Sequence, residues 1–139
     1  MIGKGHQVDL SDATTAFIEH LRTRGHEARS FDVLTDPVPE GYDVMLANAV
    51  LLHLTRDQLA GALRRLYRAL TPSGRLAFTV KEGEGEEWST AKLGAPRYFC
   101  YWQRDRLHEA VATAGFTSIE VTRWTAPSGQ PFLAVIADC

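Results

Sequence analysis

The chain has 139 residues, 45% of them hydrophobic and 23% charged, which is the composition of a single globular domain with one core. Its formal net charge is −2, with acids and bases interspersed and no Lys or Arg run, so no nucleic-acid partner is expected. The longest apolar stretches, residues 44–54 and 75–80, are short or interrupted, which argues against a signal peptide or a membrane partner. Cys100 and Cys139 have neither zinc-site nor redox spacing, and a reduced cytoplasmic protein is the default expectation.

In chain order, residues 7–10 alternate apolar and polar, and Ser11 or Asp12 stands where a helix N-cap belongs. The helix is expected to run to about Arg24, with Ala13, Ala16, Phe17 and Leu21 inward and Gly25 just past its end. Residues 27–31 read as a strand and residues 36–41 as a loop of turn formers. Residues 42–48 form a near-continuous apolar run, the pattern of a central strand buried on both faces. Thr55-Arg56-Asp57-Gln58 is a capping box, opening a helix with a Leu59, Leu63, Leu66, Leu70 stripe that stops at Pro72 and Gly74.

A strand over residues 75–81 then completes a parallel strand–helix–strand unit, so the class is α/β. Residues 82–97 are polar and glycine-containing, too long for an ordinary connector, and read as a functional loop or lid. Residues 103–114 form a further helix closed by Gly115. Two terminal strands, residues 118–124 and 132–138, are joined by Pro127-Ser128-Gly129, a turn too short for anything but an antiparallel hairpin.

This order, ending in an antiparallel hairpin, resembles the class I S-adenosylmethionine-dependent methyltransferases. Gln7-Val8-Asp9-Leu10-Ser11 matches the family's second strand with its acidic end, Ser30-Phe31-Asp32-Val33 its third, and Tyr42-Asp43-Val44-Met45-Leu46-Ala47-Asn48 its fourth. Leu70-Thr71-Pro72-Ser73-Gly74-Arg75-Leu76 matches the family's L-x-P-G-G-x-L passage into strand five, and Ala114-Gly115-Phe116 the approach to strand six. The resemblance implies a Rossmann-like sheet, mostly parallel, with its site at the carboxyl ends of the parallel strands. It also implies S-adenosylmethionine as cofactor.

One motif departs from the family. The family places a first strand and a D-x-G-x-G-x-G loop ahead of strand two, and Gly3-Lys4-Gly5 has no strand before it to make that loop. An N-terminally truncated domain is therefore the expectation, with weak or absent cofactor binding by the chain alone. Its incomplete sheet would leave edges open to a homodimer or to strand exchange.

The resemblance assigns Asp9, beside Leu10, to the ribose hydroxyls, the alternative being that Asp9 helps cap the next helix. Asp32 would accept from the adenine amine and Val33 would present its amide and an apolar wall, the alternative being a solvated loop carboxylate. Ala47, Asn48 and Ala49 fall where small residues face the methionine half of the cofactor, though close packing explains them too. His53 is the candidate general base, against a histidine held structurally near a helix start. Lys81, Tyr98 and Tyr101 are candidates for the acceptor site, while Phe99 and Trp102 read as core. The acceptor is expected to be a small molecule. The other readings are a non-catalytic methyltransferase-like scaffold acting in protein association, and a nicotinamide oxidoreductase, which the closing hairpin and the lack of G-x-G-x-x-G disfavour.

Overall fold

The computed structural model describes residues 4–91 and 94–139. Met1 and Gly3 therefore lie outside the described residues. The chain divides into two compact units, one up to Pro37 and one from Val38 to Cys139.

The smaller unit is a short strand–helix–strand. Strand β1 (Leu10–Asp12) pairs in parallel with β2 (Ala28–Ser30), Leu10 opposite Ala28 and Asp12 opposite Ser30. Helix α1 (Thr15–Thr23) begins later than the sequence pattern predicts, because the residues expected to cap it are spent in the strand pair. Asp12 still serves the helix start, its carboxylate accepting the Thr14 N–H at 2.7 Å. At the other end Arg22 donates from Nε and Nη2 to the Ala28 carbonyl, at 3.2 and 2.8 Å. Ile18 is the buried residue of α1, whereas Phe17, expected inward, is 49% exposed.

The larger unit is a mixed six-stranded sheet with helices α2 (Arg56–Ala69) and α3 (Arg104–Thr113). Its strands are β3 (Tyr42–Ala47), β4 (Leu70–Glu82), β5 (Glu86–Ser89), β6 (Arg97–Trp102), β7 (Ser118–Thr125) and β8 (Pro131–Asp138). The capping box forms as expected: Thr55 Oγ1 accepts the Gln58 N–H and Gln58 Oε1 accepts the Thr55 N–H. The helix ends at Ala69, earlier than expected, and the chain is already extended through Pro72.

β4 organises this sheet. On one edge it pairs antiparallel with β8 from Arg75 to Lys81, and β8 pairs antiparallel with β7, as the closing hairpin requires. On the opposite edge it takes two parallel partners in succession, β3 up to the pair Ala47–Phe78 and β6 at Lys81–Tyr101 and Glu82–Trp102. Alternate side chains of one sheet face are fully buried: Leu76, Phe78 and Val80 on β4, Leu133, Val135 and Ala137 on β8. The helices contribute Leu59, Leu63, Leu107 and Val111 to this core. Gly115, after α3, has φ +120°, and a Cβ there would stand 3.0 Å from the Tyr67 ring, so the turn leaving α3 needs glycine. Tyr67 in turn meets Phe116 edge-on at 5.1 Å.

Two expectations are corrected. β3 is not buried on both faces: Leu46 is 65% and Val44 45% exposed, and its second edge pairs with no strand among the described residues. An apolar run reports what a strand needs covered, and says nothing of where the cover comes from. The expected lid over residues 82–97 is instead largely a second antiparallel hairpin, β5 with β6, Glu87 opposite Phe99 and Trp88 opposite Tyr98.

Candidate functional site

Because β4 changes partner along one edge, that edge opens between Phe78, where β3 stops, and Lys81, where β6 starts. Such a break at the carboxyl ends of parallel strands leaves a crevice that no side-by-side pairing can fill. The candidate residues of the larger unit gather around it.

Thr79 stands in the break. Its hydroxyl donates to Asn48 Oδ1 at 3.0 Å and accepts the Ala49 N–H at 2.9 Å, tying the exit of β3 to β4. Ala49 is held at φ 56°, a left-handed conformation that an alanine adopts only when its surroundings impose it. Ala47, Asn48 and Ala49 thus form a tight corner with small side chains. Thr79 carries no signal in the sequence, because its alternation with buried Phe78 and Val80 makes it look like an ordinary strand residue.

The chain then makes a 3-10 turn, Leu51–His53, whose two leucines are buried and whose His53 is partly exposed. His53 Nδ1 lies 2.8 Å from the Tyr98 carbonyl oxygen. In the neutral ring this bond requires the proton on Nδ1 and leaves the Nε2 lone pair as an acceptor. The same ring lies 4.8 Å from that of Phe99. Lys81 Nζ sits 3.6 Å above the Phe99 centroid and 5.4 Å from that of Tyr101, a cation held over aromatic faces. His53, Lys81 and Tyr101 are therefore brought together around the Phe99 ring, whereas Tyr98, 45 residues from His53, adds only its carbonyl and turns its side chain to the other face of β6, against Trp88. Phe99 and Trp102 are 5% and 4% exposed, in keeping with core packing.

The two tyrosines differ in their partners. The Tyr98 hydroxyl is buried without a hydrogen-bond partner, and Trp88 packs edge-on against its ring at 5.7 Å. Burial first, with the nearby Glu86 carboxylate adding, pushes its pKa up to about 12. The Tyr101 hydroxyl donates to Glu87, and burial followed by this bond pushes its pKa up to about 12. Both therefore remain protonated at neutral pH. Gly83, just beyond β4, has φ +151°, and a Cβ would meet the Tyr101 ring at 3.0 Å, so glycine lets the chain pass under that ring.

In the smaller unit, Asp9 is exposed and stands immediately ahead of β1, not at its carboxyl end where the family resemblance puts it, and Leu10 opens the strand. Asp32 follows β2 and heads a turn: its Oδ1 accepts the Leu34 N–H at 2.8 Å, and its own N–H goes to Asp36 Oδ2 at 2.8 Å. Val33 lies within that turn. Among the described residues no cluster of three His, Cys, Asp or Glu could hold a metal, and no helix is long and apolar enough to cross a membrane.

The chain resembles known proteins over most of its length. A family profile described as "Methyltransferase domain" matches residues 2–78, more than half of the chain. The N-terminal Xaa-Pro-Lys N-methyltransferase 1 of Bos taurus is 35% identical over 88 residues, covering 58% of this chain and 39% of that protein. Its counterpart from Danio rerio is 40% identical over 75 residues, 48% of this chain and 34% of that protein. The chain thus spans little more than a third of these relatives. Among solved structures, the 1,6-didemethyltoxoflavin-N1-methyltransferase of Burkholderia thailandensis, with 1,6-didemethyltoxoflavin and S-adenosylhomocysteine bound, superposes with a TM-score of 0.74 at 24% identity, over 97% of this chain and 62% of that one. A SAM-dependent methyltransferase from Methanosarcina mazei gives 0.75 at 12% identity, over 92% of this chain and 79% of that one. At these identities the likeness is one of fold, and it extends to the Rossmann-like sheet with its closing hairpin.

The Thr79 hydroxyl is the test of the corner. Thr79→Val keeps the shape of the side chain and removes both bonds, so stability is expected to fall by about 1–3 kcal/mol, read as a lower denaturant midpoint with unchanged slope. Thr79→Ser restores both partners and should return most of the loss; equal losses in the two variants would mean that packing, not the hydroxyl, matters there.

Proposed function

The chain belongs to the methyltransferase-domain family, and from that premise we propose that it serves methyl transfer from S-adenosylmethionine to a small-molecule acceptor at the carboxyl ends of β3 and β4. The observation that carries this reading is the break in the β4 edge, where a small-residue corner and the His53, Lys81 and Tyr101 side chains sit together, with the Tyr98 carbonyl holding His53.

The residues present fit this cofactor by their chemistry. The tight corner at Ala47, Asn48 and Ala49, imposed by Thr79, leaves backbone and small side chains that a methionine chain can approach closely. Asp9, with Leu10 beside it, supplies a carboxylate suited to a ribose diol, and Asp32 with Val33 a carboxylate and an amide suited to an adenine edge. When bound, the cofactor supplies a methyl group already activated on a cationic sulfur, so alignment and exclusion of water can carry much of the rate.

The chain's own groups then act on the acceptor. The Tyr101 ring offers a face to a flat molecule, with its protonated hydroxyl engaged by Glu87, while Tyr98 acts through the carbonyl that holds His53. Lys81 brings a positive charge beside them, suited to an acceptor that gains negative charge as it loses its proton. His53 receives that proton on Nε2, and the resulting imidazolium keeps its Nδ1–H on the Tyr98 carbonyl. A flat acceptor accords with the 1,6-didemethyltoxoflavin bound in the Burkholderia thailandensis structure.

The open edge of β3, with Val44 and Leu46 exposed beside it, also supports self-association by strand pairing or exchange. Sedimentation of the chain should show a dimer growing with concentration. A monomer at every concentration would contradict this.

The 139 residues contain no D-x-G-x-G-x-G, so S-adenosylmethionine is expected to bind weakly to the chain alone. In a titration followed by calorimetry or by amide shifts, Asp9→Ala should weaken binding about thirtyfold, the equivalent of about 2 kcal/mol for hydroxyls left without their charged acceptor. The melting temperature without ligand should hold, because Asp9 is exposed and Asp12 serves the start of α1. Unchanged affinity in Asp9→Ala would remove Asp9 from the ribose site.

A further inference from the structure

The larger unit contains a cavity of about 450 Å³ at the start of α3, walled by Arg56, Trp102, Gln103, Arg106 and the backbone of residues 83–85. A second hollow of about 560 Å³ shares Gly83, Glu84, Gln103 and Arg106 and continues to Arg104 and Asp105. Successive side chains of a strand point to opposite faces, so Trp102 lies on the other side of β6 from Tyr101 and Phe99. This hollow therefore lies on the opposite side of β6 from the Phe99 and Tyr101 rings, the side that the Tyr98 side chain shares.

Its walls are rich in hydrogen-bond donors. Gln103 occupies the N-cap position of α3 but makes no capping bond, because its side-chain amide donates instead to Glu84. The first-turn N–H groups of a helix have no acceptor within the helix, and their dipoles favour an anion. The Arg56 guanidinium lies 4.5 Å over the Trp102 ring and donates from Nη2 to the Tyr101 carbonyl at 3.0 Å, which fixes its plane in advance. Arg106 is 73% exposed and makes only a 3.8 Å ion pair with Glu109, so it can turn toward a ligand.

An independent observation also points to a missing acceptor. Trp102 is 4% exposed, and its indole N–H is buried with no hydrogen-bond partner. A buried donor left unmade is costly, and the Trp102 N–H is therefore sensitive to any change in the cavity wall beside it. Glu82 is paired with Arg123, and across the two hollows Arg56, Arg104 and Arg106 stand against the remaining acids Glu84 and Asp105.

We propose that this cavity binds an oxyanion, the phosphate or carboxylate group of a small molecule, held by Arg56, Arg106 and the first-turn amides of α3. The guanidinium forks suit two oxygens of one group, and the helix start suits the third direction.

The test follows the Trp102 indole N–H in nitrogen–proton spectra of the full chain, assigned by its loss in Trp102→Phe. Inorganic phosphate and acetate are titrated separately, with sodium chloride at matched ionic strength as control. A saturable shift with phosphate alone assigns a phosphate site, and one with acetate alone or with both assigns a carboxylate-accepting site. In either case Arg106→Gln, an exposed position the fold does not need, should raise the midpoint at least tenfold, and Arg56→Lys should raise it while keeping the charge over the Trp102 ring. No saturable shift with either anion, the same shift with chloride, or an unchanged midpoint in Arg106→Gln and Arg56→Lys would overturn the proposal.

Discussion

The larger unit depends on one strand having to satisfy two edges over its whole length. β4 runs from Leu70 to Glu82, and β8 covers one edge from Arg75 to Lys81 without interruption. The other edge is shared, β3 pairing as far as Phe78 and β6 starting at Lys81. Backbone groups in the gap between these partners must be met by something other than a neighbouring strand. What meets the chain there is a side chain, the Thr79 hydroxyl, which fastens the exit of β3 at Asn48 and Ala49. The crevice, the tight corner beside it and the aromatic strand that flanks it all follow from that change of partner.

This arrangement also accounts for the electrostatics of the acceptor side. β6 carries Arg97, Phe99, Tyr101 and, alternating with them, Tyr98 and Trp102, so one strand supplies both the aromatic faces and the floor beneath them. Lys81, at the pair with Tyr101, is placed over those rings by register alone. Burial then holds both tyrosine hydroxyls in the protonated form. Stability linked to these hydroxyls is fully present below the ordinary tyrosine value near 10 and lost as pH rises toward 12, so it does not vary with pH around neutrality.

Local signals in the sequence were legible where the physics is local. The Thr55 to Gln58 capping box placed the start of α2, and Pro127-Ser128-Gly129 required the antiparallel closure of β7 on β8. The family resemblance likewise rested on short passages such as Leu70 to Leu76, and residues 2–78 carry the family match. Non-local features were not legible. The β5–β6 hairpin reads as a lid in the sequence because acidic Glu86 and Glu87 have weak strand preference until Cys100 and Phe99 of a partner strand face them. The apolar run of β3 predicted full burial, yet Val44 and Leu46 are exposed. His53 could be named as a base but not given its Tyr98 carbonyl, and neither Thr79 nor Arg56 carries any motif.

The chain spans 39% of its Bos taurus relative and 62% of the Burkholderia thailandensis structure, so the scaffold is shared more fully than any one activity. The central claim is that the corner at the end of β3, and not another hollow, faces the cofactor. A co-crystal structure with S-adenosylhomocysteine tests it directly. The account predicts the amino-acid half of the ligand against Ala47, Asn48 and Ala49, with its sulfur toward the His53 and Tyr101 side of the β4 break. Ordered ligand at the start of α3, or anywhere that leaves this corner untouched, would contradict it.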